Sequence, residues 1–193
     1  LRYWIIETLT QGIKGHRAIS PTRKLLMEIS GSMLSAQKDA EPRILFSGVE
    51  FRRYQDKLTI IRQRVEPTLD NVSLTLSATQ SVHMGDTKIS LIRSAVPGQG
   101  LAPRIADMAL KVKYRQGGEE LKPAGRAHSQ RLKKLLQDND IPPWDRGSLP
   151  LFYLGDELVA VADLFIADAC KTADDEQGWC IVFEQAGKMY TQG

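Results

Sequence analysis

The sequence predicts an α+β protein built as a small helical module with a β-hairpin, followed by a mostly antiparallel α/β C-terminal domain. Three observations predict it. Near the N-terminus, apolar residues recur three and four apart over short stretches, which is helical spacing. From residue 44 onward the texture changes to short alternating runs bounded by Gly, Ser and Asp, which is strand and hairpin chemistry. One more helical stripe, Leu132, Leu135 and Leu136, then lies among the strands. The chain of 193 residues allows one medium domain or two small ones. The expected division is 1–65, a linking β/loop segment over 66–105, and 106–193.

The elements follow in order. Residues 1–12 read as a helix, with Trp4, Ile5 and Leu9 along one stripe and Gly12 and Gly15 as its stop. Ser20-Pro21 reads as a second helix start, Ser as N-cap and Pro at the first helical position. Leu26, Ile29 and Met33 would then form the buried stripe, weakened by Gly31 and stopped before Pro42. Ile44–Phe46, a Ser47-Gly48 turn and Val49–Tyr54 read as a hairpin. Val49, Phe51 and Arg53 fall on one face, and Glu50, Arg52 and Tyr54 on the other. Leu58–Ile61 adds a strand after the turn at Gln55-Asp56. Residues 66–100 are rich in turn formers but alternate at Val72, Leu74, Leu76 and at Ile89, Leu91, so short antiparallel strands are expected there.

Leu110, Val112 and Tyr114 alternate with Lys111, Lys113 and Arg115, so one face of this strand is apolar and the other basic. Gly117-Gly118 makes a turn. Ser129 is the expected N-cap of the helix bearing Leu132, Leu135 and Leu136, with Asn139 as its end and Pro142-Pro143 barring continuation. Trp144 is expected to anchor the following turn against that helix. Leu151–Leu154 and Leu158–Ala162 flank a Gly155-Asp156 turn, and Trp179–Phe183 reads as the last strand.

Composition excludes several classes. Hydrophobic residues make up 42% and charged residues 25%, ordinary globular usage that excludes a disulfide scaffold and wholesale disorder. No run of about 18 apolar residues exists, so no membrane span is expected. The opening Leu1–Glu7 lacks the apolar core of a signal peptide. Because the chain begins with Leu1, it reads as a piece of a longer protein. Cys170 and Cys180 are expected as two reduced thiols of a cytoplasmic protein, a bridge across a hairpin being the alternative.

Catalytic constellations are missing. His16, His83 and His128 have no metal-ligand spacing, so no metal site is expected. There is no glycine-rich phosphate loop and no Gly-x-Ser-x-Gly elbow, and Asp174-Asp175-Glu176 reads as a solvated acidic loop. No residue is nominated as catalytic, and no cofactor is expected in this chain. Charge is more informative. The net charge is +3, but residues 111–134 carry eight Lys and Arg against two Glu, whereas residues 135–193 carry three against eleven acidic residues. Alternate residues of a strand lie about 6.5–7 Å apart, comparable to successive phosphates of a nucleic-acid strand. The competing reading is a solvated basic face paired with the acidic C-terminal part.

Residues 110–166 resemble the C-terminal domain of the tRNA(Ile)-lysidine synthase family. The resemblance is carried by Lys113–Gly118 (basic-x-Arg-x-Gly-Gly), Leu132–Lys134 (Leu-Lys-Lys), Ile141–Arg146 (Ile-Pro-Pro-Trp-x-Arg) and Pro150-Leu151. Ile44–Leu58, with Gly48, Glu50 and Arg52-Arg53-Tyr54, resembles the substrate-binding middle domain of its gammaproteobacterial members.

The resemblance implies an ATP-dependent ligase. In that family a separate N-terminal domain carries an ATP loop and adenylates the wobble cytidine of a CAU-anticodon isoleucine tRNA, and lysine then displaces AMP. This chain lacks the loop, so ATP, with magnesium, and lysine would act on a catalytic domain of the parent protein, and the chain alone would be inactive. What the resemblance carries over is tRNA binding, at Arg52, Arg53, Lys113, Arg115, Lys133, Lys134 and Arg146. It leaves a homodimer open. The alternative is a structural or interaction module whose basic stripe docks an acidic partner.

Overall fold

The computed structural model describes residues 2–11, 18–37, 40–63, 74–76, 81–84 and 87–185, with the backbone alone at 74–76, 87 and 184–185. It is α+β, with a few short helices and mostly antiparallel sheets, as the sequence predicts. Contacts divide it into two compact units, one on Leu1–Glu66 and one on Pro67–Glu184.

The N-terminal unit opens with α1 (Arg2–Gln11), whose Ile5 and Leu9 are buried four residues apart. The expected stop at Gly12 and Gly15 lies outside the described residues. Helix α2 (Arg23–Glu28) starts two residues later than expected. Thr22, not Ser20, is its N-cap, and the Thr22 hydroxyl accepts from the Leu25 amide at 3.2 Å. The helix continues into a π-helical turn, Ile29–Met33, where the Leu34 amide donates to the Ile29 carbonyl. The buried stripe is accordingly Leu25, Ile29 and Met33, while Leu26 is half-buried. The wider turn keeps residues four apart on one face.

Strands β1 (Arg43–Phe46), β2 (Val49–Tyr54) and β3 (Lys57–Arg62) form an antiparallel meander. Ser47 and Gly48 both take positive φ (48° and 79°), the conformation of a two-residue hairpin whose twist matches its strands. The register places Ile44, Phe51 and Ile60 in one row, and these join Val49, Ile5, Leu9, Ile29 and Met33 in the core.

The C-terminal unit contains β4 (Leu74–Leu76), β5 (Ser81–Met84), β6 (Thr87–Arg93), α3 (Pro103–Ala106), β7 (Leu110–Tyr114), β8 (Glu120–Leu121), β9 (Gln130–Arg131), α4 (Leu132–Asp138), α5 (Pro143–Arg146), β10 (Pro150–Leu154), β11 (Glu157–Val161), β12 (Phe165–Ile166) and β13 (Trp179–Gln185). The main sheet runs β12-β11-β10-β7-β4, and a second runs β13-β6-β5. The Tyr114 hydroxyl donates to the Met84 carbonyl at 2.6 Å, tying the apolar face of β7 to β5.

The described part of 66–105 contributes strands and core residues to the C-terminal unit. Strand β4 pairs with β7, and Ile89, Leu91, Leu101 and Ile105 are buried in the same core as Leu110, Val112 and Phe152. Its turn-rich composition reflects close chain crossings. A side chain on Gly100 (φ 93°) would collide with the backbone of Trp179, and one on Gly178 with the Gln99 and Leu101 carbonyls. Val72 lies outside the described residues.

Helix α4 begins at Leu132, without a side-chain cap, because Gln130 and Arg131 pair with β8 instead of opening the helix at Ser129. Its Leu132, Leu135 and Leu136 are buried as the spacing requires, and the Asn139 amide nitrogen donates to the Leu135 carbonyl at its end. Pro143 starts a new turn, α5, at its first position.

Candidate nucleic-acid interface

The basic face of β7 is built by alternation, but it is only partly open. Lys111 is exposed and Lys113 half-buried. Lys113 stands opposite Leu151, which is fully buried, so the sheet is covered at that point. Its ammonium lies 5.1 Å from the centre of the Tyr153 ring, on the diagonal of the β7–β10 pair, where cation and ring face attract. Burial, and then the negative charge of Glu119, push the Tyr153 hydroxyl above its ordinary range.

Beyond the strand, residues 115–119 form a tight loop held by its own carboxylate. One oxygen of Glu119 accepts from the amides of Gln116 and Gly117, at 2.6 and 2.7 Å. The other lies 3.3 Å from Nε of Arg115. Gly117 and Gly118 both take positive φ and leave open space where a side chain would stand. Residues 116–119 of this loop, with Lys113, Tyr114, Tyr153 and Asp156, line a cleft of about 320 Å³.

Lys133 and Lys134 are exposed on α4, beside the buried leucines, and pair with no carboxylate among the described residues. Arg146 differs. It is buried in α5, and its Nε donates to the Ile141 carbonyl at 2.8 Å, closing the Pro-Pro turn. An arginine so placed acts as a structural donor at Nε. Trp144 is half-buried and is not among the side chains packed on the C-terminal core. The buried members of this turn are Asp145 and Arg146 instead.

In the N-terminal unit, Glu50 is almost fully buried on the sheet face opposite Phe51, between Arg43 and Arg52. Arg43 reaches one of its oxygens at 2.7 Å, and Arg52 reaches the other through both Nε and an amino nitrogen, at 2.8 and 2.7 Å. Arg53 turns to the opposite face. Its amino nitrogens donate to the carbonyls of Leu34, Ala36 and Gln37 at 2.9, 2.6 and 2.7 Å, where the helix ends and its carbonyls lack intrahelical partners. Its Nε is buried without a partner among the described residues. Arg53 therefore clamps the helix end while remaining partly exposed. The sequence reading missed Arg43, although a two-residue turn at Ser47-Gly48 places it directly across from Arg52.

Among the described residues, no group of three His, Cys, Asp or Glu side chains could hold a metal ion. Cys170 is buried and Cys180 half-buried, both as free thiols, and burial raises the Cys170 thiol. His83 and His128 are exposed, and His16 lies outside the described residues. No described helix is long and apolar enough to cross a membrane.

Comparison with known proteins then bears on this geometry. Residues 110–183 match the family model of the TilS substrate C-terminal domain. A Coxiella burnetii protein named tRNA(Ile)-lysidine synthase is 32% identical over 159 residues, covering 82% of this chain and 35% of that protein. Its namesakes from Serratia proteamaculans and Photobacterium profundum are 31% and 27% identical, covering 82% and 90% of this chain and 36% and 40% of their own lengths. The chain thus spans little more than a third of the relatives it matches. A crystal structure of a TilS C-terminal domain aligns with a TM-score of 0.41 at 16% identity, covering 60% of this chain and 93% of that one. The matched family is the one that the motifs of residues 110–166 resemble.

Proposed function

We propose, on the premise that residues 110–183 form a TilS substrate C-terminal domain, that this chain binds and positions a CAU-anticodon isoleucine tRNA for a lysine-ligating parent enzyme. The ATP-dependent chemistry, with its magnesium and lysine, then belongs to a catalytic domain of the parent. The observation that carries the reading is the exposed Lys133-Lys134 pair, which meets no carboxylate among the described residues, inside the matched segment and on the helix that follows the Arg115–Glu119 loop. Lysines held at the surface by a buried leucine stripe cost little to bring to a phosphate, and each contact releases condensed counterions.

Lys113 and Arg115 contribute from the neighbouring strand and loop. In the N-terminal unit, Arg52 and Arg43 are committed to Glu50 and Arg53 to helix-end carbonyls, so the basic residues of the C-terminal unit carry the greater share of tRNA contact. Phosphate contacts set register without reading bases, so anticodon discrimination rests with the parent's catalytic domain.

The test is binding of the 193-residue chain to a CAU-anticodon isoleucine tRNA transcript, followed by fluorescence anisotropy over a salt series. Affinity should fall steeply with salt, and purified chain should release no AMP from ATP. Salt-insensitive binding, or binding to an acidic protein but not to the transcript, would replace this reading with the interaction module.

A further inference from the structure

Glu119 makes an arrangement that electrostatics alone does not require. A carboxylate beside a cation in a nucleic-acid interface lowers the local positive charge, so its presence there needs a reason. The geometry supplies one. Two backbone amides converge on one Glu119 oxygen at 2.6 and 2.7 Å, which fixes the carboxylate, and the side chain is 8% exposed. The second oxygen takes Arg115 by Nε alone, at 3.3 Å. The two terminal nitrogens of Arg115 meet no acceptor among the described residues, and the side chain is 19% exposed. A guanidinium gripped at Nε keeps its terminal fork available for a second, planar acceptor, and phosphate is such an acceptor. The cleft beside the loop is lined by Lys113, the open backbone of Gly117 and Gly118, Tyr153, and the acidic residues Glu119 and Asp156, while Arg115 stands outside that lining.

We propose that Glu119 is a positioning residue for RNA binding: it locks the 115–119 loop and holds Arg115 with its terminal nitrogens presented to a backbone phosphate beside the cleft that Lys113 and Tyr153 line. The proposal rests on the tRNA-binding reading above. Glu119 never touches the phosphate; it acts through Arg115.

Glu119→Gln separates the two halves of this arrangement. Its amide oxygen can still accept from Gln116 and Gly117, but it no longer offers a charge to Arg115. The experiment measures binding of a tRNA transcript over a salt series by the unaltered chain, Glu119→Gln, Arg115→Ala and the double variant, with thermal melting as a check on folding. Glu119→Gln should weaken binding about tenfold, the scale of one charge-assisted hydrogen bond. It should lower the log–log salt slope by roughly 0.7 to 0.9, as one lost phosphate contact does. In the Arg115→Ala background it should add nothing. Unchanged or tighter binding, or an equal loss in both backgrounds, would overturn the proposal. If Glu119→Gln fails to fold, Arg115→Lys decides: it keeps the charge but not the fork, so binding as tight as the unaltered chain's overturns the proposal and a loss matching Arg115→Ala supports it. Absence of any salt-dependent binding by the unaltered chain would bring down the underlying tRNA reading as well.

Discussion

Arg53 in the N-terminal unit and Lys133-Lys134 in the C-terminal unit carry the same sign of charge but end in opposite states. Arg53 gives its guanidinium to three carbonyls at the end of a helix, and Arg52 grips the buried Glu50 from the side. Lys133 and Lys134 stand exposed on α4 and pair with nothing among the described residues. The difference follows from the side chains. A planar fork of five donors can satisfy several acceptors at once, so the fold recruits arginine to close its own ends. A compact ammonium on a flexible stem is strongly hydrated and stays outside unless a carboxylate meets it. Basic residues equal in a charge count thus divide into those that hold the fold and those left for a partner.

The largest effect that could break this comparison is at Arg52. Arg52→Ala leaves the buried Glu50 with Arg43 alone, and the chain should lose about 3 kcal/mol of stability in urea unfolding, as for other broken buried ion pairs. An unchanged midpoint would mean that Arg43 suffices and that Arg52 is available to ligands after all. Next comes Arg53→Ala, which removes donors from three carbonyls and should cost about 2 kcal/mol. If it altered tRNA affinity without moving the unfolding midpoint, Arg53 would return to the surface class.

Lys133→Ala and Lys134→Ala sharpen the other side of the comparison. Melting temperature should stay unchanged, while the log–log salt slope for tRNA binding should fall by roughly 0.7 to 0.9 for each. The loss should be similar for cognate and non-cognate tRNAs. A lower melting temperature with an unaltered slope would make these lysines structural.

The smallest effect concerns an exposed pair in the C-terminal unit. The Lys122 ammonium at 2.9 Å, and then the Gly125 amide at 3.3 Å, hold the Asp168 carboxyl below its ordinary range. A carboxyl depressed on folding contributes stability that is present above its unfolded value and lost as pH falls through its lower, folded value. The pair is exposed, so the contribution is small. NMR titration of Asp168 in Lys122→Ala should show the carboxyl moving back up; no movement would mean that the amide alone sets it.

Much of the fold was legible because it rests on local periodicity. The leucine stripe of α4, the alternation of β7 and the turns at Ser47-Gly48 and Gly155-Asp156 are properties of neighbouring residues, and the structure realises each of them. Helix starts were less legible. Ser129 has the chemistry of a cap, but Gln130 and Arg131 are drawn into a strand pair whose partner lies about ten residues away. Likewise, 66–105 carries the composition of a linker, while its strand partners, β7 and β13, lie far along the chain.

By itself, then, the sequence determined the α+β class, the buried stripes, the hairpins and a basic segment in residues 111–134, because hydrophobic period and charge are written residue by residue. Tertiary structure alone decided which cations remain open. Arg53 finds carbonyls 16 to 19 residues away, Arg146 turns inward to Ile141, and Arg115 is held at Nε by the carboxylate of Glu119, its terminal nitrogens meeting no acceptor among the described residues. The physical reason is that a charge is fixed by its side chain, whereas its availability depends on which acceptors the folded backbone brings within hydrogen-bond reach.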